Sequence, residues 1–92
     1  MHEDLDRIVE LNTTIGRIRG KAVSPDGAVY MEVDLYGEIT SLRLSDFAME
    51  RGPERFARLV ADCHRRAHSE ALEEARLLHR AAKERENLRG TW

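Results

Sequence analysis

The feature that most constrains this chain is a long stretch free of helix breakers. Pro53 suits the first position of a helix, where its missing N–H costs nothing. From there to about Asn87 no further proline and no glycine occurs. Phe56, Val60, Cys63, Ala67, Ala71, Leu78 and Ala81 fall on one stripe at 100° per residue. The stripe is rich in alanine, which permits close approach of a packing partner. The spacing predicts one helix over 53–87, followed by a short tail over 88–92. A helix of about 34 residues is roughly 50 Å long. A compact domain of 92 residues is only roughly 30 Å across. The helix must overhang whatever it packs on, and its apolar stripe continues into the overhang at Leu77, Leu78, Ala81 and Ala82. An isolated arm of this kind does not stay bare and rigid. The economical solution is a two-fold dimer that shares apolar surface between protomers.

The sequence before this helix reads as a helix and a small sheet. Residues 3–19 place Leu5, Ile8, Leu11 or Asn12, Ile15 and Ile18 at spacings of three and four, the pattern of an amphipathic helix. Glu3, Asp4 and Asp6 open it and Arg17 and Arg19 close it, as the helix dipole favours, with Gly20 as the expected stop. Over 21–45 the period changes to two. Ser24-Pro25-Asp26-Gly27 is a strong turn signal. Val29, Met31, Val33 and Leu35 then alternate with Tyr30, Glu32 and Asp34, as in a half-buried strand. Tyr36-Gly37 marks a second reversal, and 38–44 supplies another strand with Leu42 and Leu44 inward. A short piece over 21–23 pairs back across the first turn, giving an antiparallel meander of three strands. Residues 45–52 are a connector, with Phe47 and Met49 expected to tuck under the sheet edge. The expected fold is a single α+β domain over 1–92: helix, three-stranded β-meander, long C-terminal helix, assembled as a dimer.

This order of elements resembles the YbaB/EbfC family of bacterial nucleoid-associated proteins. The strand Ala28-Val29-Tyr30-Met31-Glu32-Val33-Asp34 carries the resemblance, together with Gly37-Glu38-Ile39-Thr40-Ser41-Leu42-Arg43-Leu44 and a long helix with alanines at 67, 71 and 75. It spans roughly residues 5–85. The chain departs from the family in a shorter first helix without a Met/Gln-rich lead, and in a reduced glycine-rich stretch before the meander. The resemblance implies a small homodimer that binds double-stranded DNA with little sequence preference, in the cytoplasm at the nucleoid. Some actinobacterial relatives look instead like accessory or secretion-associated proteins.

Charge and composition bound the function further. The net charge is −2, but residues 1–50 sum to −5 and residues 51–92 to +3. A global attraction to a polyanion is not implied, so anion binding must come from a local stripe in the second half. With one cysteine no internal disulfide forms, which fits a reducing compartment. No apolar run approaches the roughly 20 residues that span a bilayer, and the acidic start lacks the pattern of a signal peptide. No Ser/His/Asp order, glycine-rich phosphate loop, H-E-x-x-H or C-x-x-C pattern is present. An enzyme, a membrane protein and a small-molecule binder are therefore disfavoured, and no cofactor is expected.

The candidate site is the basic face of the long helix. Arg55, Arg58, Arg65, Arg66, Arg76, Arg80 and Lys83 cluster opposite the apolar stripe, interrupted by Asp62, Glu73 and Glu84. Arginines along an exposed helix can neutralise phosphates and release counterions, giving salt-sensitive, sequence-tolerant affinity. The competing reading is a solvated face knit by ion pairs such as Arg58–Asp62, Asp62–Arg66 and Glu73–Arg76. Val29, Met31, Val33 and Leu42, with Leu77, Leu78 and Ala81 on the arm, are the candidate dimer interface. His64 and His68 share a helix face, but two imidazoles fall short of a zinc set, and Cys63 points about 100° away from them. Tyr30, Tyr36 and Trp92 are too few and too scattered for a base-stacking surface. A protein-interaction or accessory module that does not bind DNA is the alternative function.

Overall fold

The computed structural model of the chain describes residues 13–90. Residues 13–16 are helical, and the chain leaves the helix through tight turns in which Arg17 N donates to Thr14 O and Ile18 N to Ile15 O, both at 3.1 Å. The helix thus ends before Arg19. The Arg19 guanidinium caps it, donating to the carbonyls of Gly16 (3.0 Å) and Ile18 (2.7 Å). The expected residues 3–12 of this helix lie outside the described residues. Three antiparallel strands follow: β1 (Gly20–Val23), β2 (Val29–Val33) and β3 (Ile39–Leu44), in the spatial order β1-β2-β3. Gly20, expected as a stop, is the first residue of β1.

Both hairpin turns form where the turn chemistry demands. In the first, Gly27 takes φ 74° and its N–H donates to Ser24 O at 2.9 Å. Ser24 is buried yet satisfied: its hydroxyl donates to Asp26 Oδ1 (2.8 Å) and accepts from Val29 N (3.0 Å). In the second, Gly37 takes φ 85°, and Asp34 Oδ1 accepts from the N–H groups of Tyr36 and Glu38, both at 2.9 Å. Each turn uses glycine where a side chain would strain the backbone, and an aspartate to bond the turn from within.

The long helix spans Pro53–Gly90, three residues beyond the expected limit, because nothing disfavours the helix until Gly90. Residues 88–90, expected as tail, are therefore helical. Gly52 (φ 95°) turns the chain into it, and its carbonyl accepts from Phe56 N at 3.1 Å. The helix packs chiefly on β1 and β2. Cys63 and Ala67 join Ala22, Val29, Met31 and Val33 in one buried cluster, and Ala71 is buried beside Gly20. The seam is tight: a Cβ on Gly20 would lie 1.7 Å from Ala67 O. Small residues on both sides draw the helix down over β1, so it does not reach across the sheet to β3.

That offset changes the placement of several side chains. Leu42 and Leu44, expected inward and covered, are 45% and 47% exposed. They do share a sheet face with the core, since Leu42 pairs with Met31 and Leu44 with Val29. The long helix, seated on β1 and β2, does not extend over them. Phe47 and Met49 do not tuck under the edge either; both are exposed, and Ala48 between them is buried. The connector is a run of four-residue turns (Ala48 N to Ser45 O 3.1 Å, Glu50 N to Phe47 O 3.1 Å) that turns only the small Ala48 inward. The molecule is elongated, 62 × 21 × 15 Å, with a radius of gyration of 18.1 Å. A compact chain of this length would have about 12 Å. The helix, about 57 Å long by its rise per residue, runs far past the sheet, as its length requires.

Candidate nucleic-acid interface

A continuous helix carries its side chains at fixed angles, so the basic band follows directly from the spacing. Arg58, Arg65, Arg76, Arg80 and Lys83 fall within about 60° of one another round the helix, and all five are exposed. They lie away from the buried seam of Cys63, Ala67 and Ala71. Arg58 and Arg80 have no ion-pair partner among the described residues. Arg65 pairs with Asp62, and Arg76 with Glu73 at 3.3 Å. Exposed pairs of this kind contribute between about 0 and 1 kcal/mol, so they restrain a guanidinium without removing it from the surface.

The other two candidate arginines are placed differently. Arg66 is a strap between helix and sheet. Its Nε donates to Asp62 Oδ2 (2.9 Å), and its terminal NH2 donates to Val23 O (2.9 Å) at the end of β1 and approaches Cys63 Sγ (3.5 Å). Arg55 is half-buried in the first turn of the helix, with its Nε enclosed and without a hydrogen-bond partner among the described residues. Of the expected ion pairs, Asp62–Arg66 and Glu73–Arg76 form; Asp62 takes Arg65 rather than Arg58.

On the opposite flank two histidines fasten the helix to the β2–β3 turn. His64 Nε2 lies 2.7 Å from Gly37 O, and His68 Nε2 3.0 Å from Leu35 O. A carbonyl only accepts, so each imidazole donates from Nε2. The sequence gives no local sign of these bonds, because the partners lie 27 and 33 residues away. The close packing of Gly37 on the His68 ring, 3.4 Å from a Cβ position, explains glycine there a second time.

The apolar candidates divide in two. Val29, Met31 and Val33 are fully buried inside the chain's own core, under the helix, and offer no surface to a second copy. Their assignment to a dimer interface is corrected on that ground. Leu42 and Leu77 are about half exposed, Ala81 is exposed and Leu78 half-buried. Ile39, 46% exposed, joins Leu42 and Leu44 on the same face of β3, since it pairs with Val33 across a bulge.

A cavity of about 100 Å³ lies between the connector and the first turn, lined by Asp26, Phe47, Ala48, Arg51, Arg55 and Leu59 among others. Ligand sites are several times larger, roughly 300–1,000 Å³. Hydrogen bonds from Ser24 and then Ala28 hold the Asp26 carboxyl below the usual carboxylate range, and the Arg55 charge adds to them. Burial pushes the Cys63 thiol up, against a smaller opposing effect of Arg66. Among the described residues no group of three or more His, Cys, Asp or Glu side chains is placed to hold a metal. No helix among them is long and apolar enough to cross a membrane. No family model matches the chain, and no curated protein matches it either.

Proposed function

We propose that this chain is a non-catalytic, nucleoid-associated protein of the YbaB/EbfC kind, which binds double-stranded DNA as a homodimer with little sequence preference. The observation that carries the reading is the basic band on the free side of the long helix. Its two arginines without an ion pair among the described residues, Arg58 and Arg80, are 22 positions apart, so about 33 Å along the axis. One turn of B-form duplex is about 34–36 Å. A rod laid along the duplex meets phosphates with both ends of the band, and with Arg65, Arg76 and Lys83 as well. Such contacts position a protein on DNA without reading bases. The strands and turns over residues 20–46 carry Asp26, Glu32, Asp34, Glu38 and Asp46 against Lys21 and Arg43, so the sheet end is acidic and the arm can act as a local cationic surface despite the net charge.

The second copy covers the face that the first helix leaves open. Ile39, Leu42 and Leu44 form an apolar stripe beside a complete core, on a strand whose outer edge has no neighbour among the described residues. Pairing two copies brings two arms to one duplex and doubles the cations that face phosphate. The test is a duplex-binding curve at two salt concentrations. Arg58→Ala/Arg80→Ala is expected to weaken binding to all sequences alike and to reduce the salt slope by about one unit for each arginine removed. Equal binding by wild type and the double variant would overturn the reading.

The same β3 stripe also favours a second reading, a protein-interaction module that does not bind DNA. Co-purification of a partner from nuclease-treated lysate, with no shift of duplex at low salt, would select it.

A further inference from the structure

We infer that Asp62 lowers the affinity of this surface for duplex DNA, by competing with phosphate for the Arg65 guanidinium. The inference rests on the reading of the arm as a DNA-binding surface. Asp62 sits inside the basic band, and its two oxygens serve two arginines: Oδ1 accepts from Arg65 and Oδ2 from Arg66 at 2.9 Å. The two are not held alike. Arg66 keeps Val23 O (2.9 Å) and Cys63 Sγ (3.5 Å) when Asp62 is removed, so it remains a strap on the sheet. Arg65 has Asp62 as its one partner among the described residues, and its side chain is 73% exposed. A carboxylate and a phosphate compete for the same guanidinium fork. Asp62 therefore weakens one cation of the surface and adds one repulsive charge, both near the sheet end of the band.

The size of the effect follows from the weakness of exposed ion pairs. Such a pair favours its closed form by up to about fivefold. Two copies on one duplex then give an expected tightening of about three- to twentyfold for Asp62→Asn, and a salt slope steeper by about one to two units. Glu74→Gln removes the same charge from the other side of the helix, about 120° away, where Glu74 is exposed and has no ion pair among the described residues. It is expected to change affinity less than twofold.

The experiment is fluorescence anisotropy of the full chain with a mixed-sequence duplex of about 30 base pairs, across a salt series. The proteins are wild type, D62N, E74Q, R65A, R58A and D62N/R65A. Support is a D62N gain well above that of E74Q, abolished in D62N/R65A. R65A alone should then cost several-fold less than R58A, a comparison that stands even if D62N does not fold. Binding by D62N but not by wild type also supports the inference. Equal gains in D62N and E74Q, a gain that survives R65A, or equal losses in R65A and R58A overturn it while leaving the DNA-binding reading intact. Failure of wild type, D62N and E74Q alike to bind overturns both.

Discussion

Replacing Gly20 with alanine should lift the long helix off the sheet. The new methyl carbon would lie 1.7 Å from Ala67 O, 2.7 Å from Ala67 C and 2.8 Å from Ala71 N. All three are backbone atoms, so no rotamer change relieves the clash. Even the closest C–H···O contact needs about 3.3 Å, so the two backbones must part by roughly 1.6 Å. A gap of about half that size already forfeits a quarter to a half of the dispersion energy between facing atoms. Here the loss spreads over Ala67 and Ala71, both fully buried. Overpacking of a core ordinarily costs about 1–3 kcal/mol. A clash between two backbones belongs at or above the upper end, so about 3 kcal/mol or more is expected. The whole stability of a chain this size is of order 5–14 kcal/mol. Urea unfolding followed by circular dichroism reads the change as a shift in midpoint. Gly16→Ala is the control: among the described residues nothing lies within 4 Å of its Cβ position, and it should stay within about 1 kcal/mol of wild type. A Gly20→Ala protein as stable as the control would refute the seating of the helix on β1.

Three further outcomes test the core and its edges. Met31→Ala should cost about 2–5 kcal/mol in urea unfolding, because Met31 is fully buried. Leu42→Ala, its neighbour on the same face, should cost much less in a monomer. Ser24→Ala removes the largest cause of the lowered Asp26 pKa. A depressed carboxyl adds stability that is present above its unfolded value and lost as pH falls through the folded one. The wild-type advantage over Ser24→Ala should therefore shrink as unfolding is measured from pH 6 down to pH 2; a constant gap would show that Asp26 is not involved. The raised Cys63 pKa runs the other way. Its contribution is full below 9.0, the ordinary thiol value, and falls as pH rises above it. Cys63→Ala should flatten the alkaline limb of stability, and native Cys63 should resist iodoacetamide until the protein unfolds.

The strands, turns and long helix were legible because each is specified by neighbours in sequence. Ser24-Pro25-Asp26-Gly27 encodes its own turn, Val29, Met31 and Val33 alternate, and the helix runs until a glycine meets it. What was not legible is the lateral position of the helix on the sheet. Period two says that Leu42 and Leu44 share a face with Met31 and Val29, and they do. It does not say which strands the helix covers. That depends on side-chain size at Gly20, Ala22, Ala67 and Ala71 taken together, a property of four positions spread over some fifty residues. The same limit applies to Phe47 and Met49, whose hydrophobicity suggested burial while the turn geometry of the connector admits only Ala48. In the candidate site, the arginine spacing was readable, but the commitments were not. Arg66 donates to a carbonyl 43 positions earlier, and no helical wheel contains that atom.

The offset of the helix links the packing to the proposed function. A helix centred on three strands would cover Ile39, Leu42 and Leu44 and leave a closed monomer. Small residues pull it to β1 instead, and the histidine bonds to Leu35 O and Gly37 O hold it there. One half of the sheet's apolar face is then complete, and among the described residues the other half is open beside an edge without a pairing strand. Apolar stripes on edge strands invite pairing with another chain, so the geometry that tightens the core also supplies the self-association the proposal needs. The basic band is independent of that arrangement. It lies on the side of the helix away from the core, so occupation of the β3 face by a second copy leaves Arg58 and Arg80 outward. Dimerisation and DNA binding should accordingly separate by mutation. Leu42→Glu should yield monomers by light scattering, with a weaker, shallower salt dependence of duplex binding. Arg58→Ala/Arg80→Ala should leave the mass of the dimer unchanged. Loss of the dimer in the arginine variant would show that the two surfaces are one, and that the arm, rather than β3, joins the copies.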